Sequence, residues 1–335
     1  VPFITRSHAK AHIHSATCNH DEPVSKGLED IVDEDLLADI AALSELYANA
    51  ITGLSAAVKE ARRLLAEQGR SGTLDLRLFQ EVFAARAVEF LRQELASVSS
   101  ETANQVLSSA RLSIDNLPSR IATRISFDNT DPRAIEWANR RAGAMITQIE
   151  AEALQTVRGV ISNVLSSGGG VPRAAKQIER VIGLHPRWQT AVNNFYNKEV
   201  ARFGRTMSAD SAITAAQETA LKYQGQLIRA RALNIARTEI LAAQNIGQLL
   251  SWYQAADQGF VDLSRAEKEW VAGPSGWKNI DVCPICEDLE GQRVPVTGVF
   301  TNGEICPPAH PNCRCTMNLI ALPEAEELED LGDEE

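Results

Sequence analysis

No stretch of the sequence approaches the roughly 18 consecutive apolar residues that a membrane-spanning helix needs, so no membrane partner is expected. The opening, VPFITRSHAKAHIHSATCNH, lacks the apolar core of a secretory signal. Positive charge is in deficit: 33 Lys and Arg against 44 Asp and Glu give a formal net charge of −11 at pH 7. That balance argues against a protein that coats nucleic acid by charge alone. Aromatic residues are only 5% of the chain. Long stretches rich in Ala, Leu, Glu, Arg and Gln favour helix instead. No internal repeat is evident. The signatures H-E-x-x-H and H-x-E with P-C-x-x-C are missing. Gly168–Gly170 stand before a helical run, but the lysine and hydroxyl residue of a phosphate loop are not there, so they read as a hinge.

At 335 residues the chain favours two domains. Residues 1–27 form a polar arm holding His8, His12, His14, Cys18 and His20, and read as flexible. Residues 28–130 read as an N-terminal helical region. There Leu36, Ile40, Leu43, Leu46, Tyr47, Ile51, Leu54 and Val58 recur at steps of three and four, with a break expected at Gly53. Residues 131–255 read as a second helical region. It opens at Asp131, a candidate N-cap before Pro132. From 256 the helical period is lost, and a small module of mixed helix and strand extends to 322. The tail from 323 to 335 is almost wholly acidic and reads as solvated. The expected fold is therefore mainly α: an extended helical N-terminal region and a small α+β, zinc-binding C-terminal module.

What the chain does have is a thiol cluster. Five of its six cysteines fall between 283 and 315. Cys283 and Cys286 form a C-x-x-C pair, and His310 and Cys313 repeat the spacing; TNGE (301–304) offers an Asn-Gly hairpin turn between them. In a reducing cytosol such pairs point to a metal rather than to disulfides. Mixed thiolate and imidazole donors suit zinc. The set is over-complete. Cys283, Cys286, His310 and Cys313 are the expected ligands, with Cys315 the first substitute and Cys306 the last. Cys315 ranks behind Cys313 because two side chains two apart on a strand point to opposite faces. With no paired catalytic base, the metal reads as structural, supplying folding energy to a module too small for a generous core.

The stretch ARTEILAAQNIG (236–247), a tryptophan-containing segment, CPIC-x-x-L-x-G, PPAHPNCRC and the closing MNLIAL, in that order, resemble the Mu protein F-like family of tailed bacteriophages. The resemblance is specific over about 225–320 and looser from about 135. It implies a minor head, or head morphogenesis, protein carried inside the capsid near the portal. Its implied partners are the portal protein, other head proteins and packaged DNA, and no firmly established catalysis belongs to the family. Within the helix, Arg237 and Glu239 are two apart and cannot pair locally. One of them is expected to anchor the module as a supporting contact to the metal ligands. The competing readings are a zinc-ribbon nucleic-acid binder, for which Arg293 and Arg314 speak, and a zinc-dependent enzyme.

Overall fold

The computed structural model describes residues 34–115, 124–128, 130–273, 282–311 and 313–321. The His-rich arm and the acidic tail lie outside them. The described chain is mainly helical. Its elements are α1 (Glu34–Glu67), α2 (Leu76–Glu94), α3 (Val98–Asp115), α4 (Pro132–Ser166), α5 (Val171–Val181), α6 (Pro186–Phe203), α7 (Ala209–Asp257) and the short α8 (Pro284–Glu287). Three strands, β1 (Ala266–Val271), β2 (Arg293–Pro295) and β3 (Thr316–Ala321), form an antiparallel sheet in the order β2-β1-β3. Among the described residues no helix is long and apolar enough to cross a membrane.

The contacts divide into two compact units. One comprises Ile31–Asn104 and Ile135–Arg237. Its α1 buries Ile40, Leu43, Tyr47, Ile51, Leu54 and Val58, the face that the periodicity marks. The helix runs unbroken through Gly53, where a break was expected. A Cβ there would meet Phe90 of α2 at 3.6 Å, an ordinary contact, so this glycine sits on a packed face without interrupting the helix. The hinge at Gly168–Gly170 does separate α4 from α5. A Cβ on Gly170 would come within 2.4 Å of the Ser71 carbonyl oxygen, so only glycine fits. Ile51, Leu184, Val192, Ala220 and Ile228 make a further core cluster in this unit.

The other unit brings Gln105–Ala134 together with Thr238–Glu335. The C-terminal part of α7 is its spine. From Thr238 to Leu250 that helix is buried on almost every side, polar residues included. The partners of those polar groups lie far off in sequence. Ser251 Oγ donates to Ser113 Oγ at 2.9 Å, and Gln254 Nε2 donates to Asp128 O at 3.0 Å and Asp131 Oδ2 at 3.1 Å. Asp131 also caps α4 as expected, its Oδ1 accepting from the Arg133 backbone N–H at 2.9 Å. Ile114, Ile125 and Ala255 close the hydrophobic core beside this network, with Phe127, Phe260 and Val261 packed on them.

Candidate metal centre

The sheet is the platform for the cysteines. Along β1, Ala266, Lys268 and Trp270 face inward in the two-residue alternation of a half-buried strand. The ring of Trp270 meets Phe300 edge-on, with centroids 5.0 Å apart. The chain then reaches the first knuckle. Cys283 precedes α8, and its carbonyl accepts from the backbone N–H groups of Cys286 and Glu287, both at 2.9 Å. Pro284 stands at the first helical position, where its missing N–H costs nothing. Leu289 plugs the core, and Gly291, at φ 70°, adopts a left-handed conformation that other residues resist. It thereby turns the chain into β2 while donating its N–H to Trp270 O at 2.9 Å. Asn302–Gly303 form the expected tight turn, closed by Phe300 N–H to Glu304 O at 2.9 Å. The segments flanking that turn are not strands, so no hairpin forms there.

These turns bring five donors together. Cys283 Sγ lies 3.0 Å and Cys286 Sγ 3.1 Å from His310 Nε2, and Cys286 Sγ lies 3.7 Å from Cys313 Sγ. Two groups can hold a metal ion: Cys283, Cys286 and His310, and Cys286, Cys313 and Cys315, with Cys286 common to both. The 3.7 Å separation matches the edge of a tetrahedron with metal–sulfur bonds of about 2.3 Å, roughly 3.8 Å. His310 Nδ1 lies 2.8 Å from Pro311 O. A carbonyl oxygen only accepts, so Nδ1 carries the proton and Nε2 keeps its lone pair for a metal. The donor set fits a thiophilic ion.

The protonation of the thiols follows from their crowding. Cys286 is pushed far above an ordinary thiol by its hydrogen bonds with Cys313 and Cys315 and by burial. Cys315 is drawn well below, by hydrogen bonds from Cys286 and Cys313, helped by the Gly273 backbone N–H. Thiols packed this closely cannot all ionise unless a cation sits among them. Gly273 gets close because it has no side chain: a Cβ would lie 2.8 Å from Arg314 Cβ.

One geometric expectation is corrected. Cys313 and Cys315 do not point to opposite faces; both are buried, and both sulfurs lie within 4.8 Å of Cys286. The alternation of a strand fails because the strand begins only at Thr316, and residues 313–315 are irregular. Cys306 is buried and lies outside both donor groups. Arg237 and Glu239 are both buried within α7. Two contacts from α7 to the cysteine segment come from residues that the sequence reading did not single out. Asn245 Nδ2 donates to Cys315 O at 3.3 Å, and Gln248 Nε2 donates to Met317 O at 3.0 Å. Both lie in or beside the stretch ARTEILAAQNIG, and their spacing of three on one helix face was the available signal.

A helical spine, a three-stranded sheet and a Cys/His knuckle pair define a mainly helical protein with a small module whose Cys/His groups could hold a metal ion. Residues 155–318 match the family described as Phage Mu protein F like protein. The match supports a phage head morphogenesis protein. No curated protein matches the chain, and no solved structure does.

Proposed function

We propose that the protein is a minor capsid protein of a tailed phage, placed beside the portal inside the head and acting in head assembly or genome delivery. In this reading it is made in the host cytoplasm and ends in the virion. A structural zinc, held by Cys283, Cys286, His310 and one of Cys313 and Cys315, staples the module of residues 256–322. The observation that carries the reading is that the donor cluster and the helix docked on it both lie inside the family segment, 155–318. A metal with its donors buried on several sides is suited to folding rather than to turnover. The nucleic-acid alternative is weakened at Arg293, whose Nε is paired with Glu269 Oε1 at 3.0 Å across β1 and β2. The test is a phage lacking this gene, with particles examined by mass spectrometry and microscopy. The protein should be found in wild-type particles, and infectious heads should fall without it. Normal infectious heads in its absence, from a phage whose wild-type particles never contain it, would overturn the reading.

A further inference from the structure

The cluster holds five donors, whereas a tetrahedral ion takes four. Cys283, Cys286 and His310 make one three-donor group, so a single further thiolate completes the shell. Cys313 and Cys315 both approach from the side of Cys286, the donor that the two groups share, and either would supply it by moving toward Cys283 and His310. Each lies within 4.8 Å of Cys286, each is almost wholly buried, and both sit on irregular backbone not yet committed to β3. Whichever is left out faces a coordinated sulfur to which its S–H can donate, so neither arrangement strands a polar group. We propose that Cys313 and Cys315 are interchangeable fourth ligands, so that the centre keeps its metal through the loss of either thiol but not of both. The inference rests on the metal reading above. It gives the segment entering β3, held by Asn245 and Gln248 at the carbonyls of Cys315 and Met317, two positions at which it can be tied to the metal.

The test compares the full-length protein with Cys313→Ala, Cys315→Ala and the double variant. Zinc per chain is measured by elemental analysis, and thiolate coordination by the visible spectrum after cobalt substitution. Each single variant should keep about one equivalent and the three-thiolate spectrum of the parent, and the double variant should lose the metal. One single variant losing its metal while the other keeps it would show one fixed ligand and overturn the proposal. Loss in both single variants would overturn it equally. A parent chain that binds no metal would overturn the metal reading itself, which separates the two failures.

Discussion

Gly247 of α7 lies directly against the backbone of Val106 in α3: a Cβ on Gly247 would come within 2.5 Å of the Val106 carbonyl oxygen and 2.8 Å of the Ala110 nitrogen. Backbone cannot yield as a side-chain tip does. Gly247→Ala should therefore destabilise the protein by about 1–3 kcal/mol, as overpacking does. The helix propensity of alanine works the other way, by up to about 1 kcal/mol. Thermal unfolding decides between them, and a rise in melting temperature would contradict the close approach.

Asp131 anchors a second junction. Its carboxylate caps α4, accepts from Arg133 Nη2 at 2.7 Å and from Gln254 Nε2 at 3.1 Å, and is 3% exposed. Burial works to raise its pKa, but hydrogen bonds and charge from Arg133, with Gln254, hold it below the ordinary carboxylate value. A carboxyl depressed in the folded state adds stability above its unfolded pKa and loses it as the pH falls through its folded one. Asp131→Ala should cost roughly 2 kcal/mol at pH 7. In denaturant titrations the gap between variant and parent should close below about pH 4. A gap independent of pH would show that the charge is not what matters.

Lys268 is fully buried, donating from Nζ to Val296 O at 2.9 Å and Gly298 O at 2.7 Å, with the Phe300 ring centroid 5.5 Å away. Burial lowers its pKa from 10.5 to about 8. At pH 7 the amine is charged in both folded and unfolded chains. Between about 8 and 10.5 the folded chain has released its proton and the unfolded chain has not, so stability rises with pH by on the order of 3 kcal/mol. Lys268→Met should lack that rise. Parallel slopes for the two proteins between pH 7 and 10 would contradict the account.

Cys283→Ser removes one donor from the group with Cys286 and His310. If metal binding is folding free energy for the module, limited proteolysis should cut first within residues 256–322 and leave α1 and α2 intact. An unchanged digestion pattern would show that Cys283 is not needed for folding.

Local order was legible in the sequence and long-range order was not. The apolar steps of α1, the proline after Asp131 and the C-x-x-C turn are statements about neighbours in the chain, and each is realised in the fold. The stretch of α7 that buries Thr238, Glu239, Asn245, Ser251 and Gln254 on several sides of the helix shows why pattern reading stops there. A period of 3.6 assigns such residues to solvent. Their burial is set by partners such as Cys315, Ser113 and Asp128, some 70 to 138 positions away, which no local period can announce. Cys313 and Cys315 are the reverse case, where a strand rule was applied to residues that stop just short of the strand.

The central claim is that the Cys/His cluster holds one zinc on which the C-terminal module depends. Elemental analysis of the purified full-length protein, prepared reduced and without chelator, tests it most directly. The account predicts about one zinc per chain, the stoichiometry of a single four-ligand site. Metal-free protein whose module nonetheless resists proteolysis would contradict it.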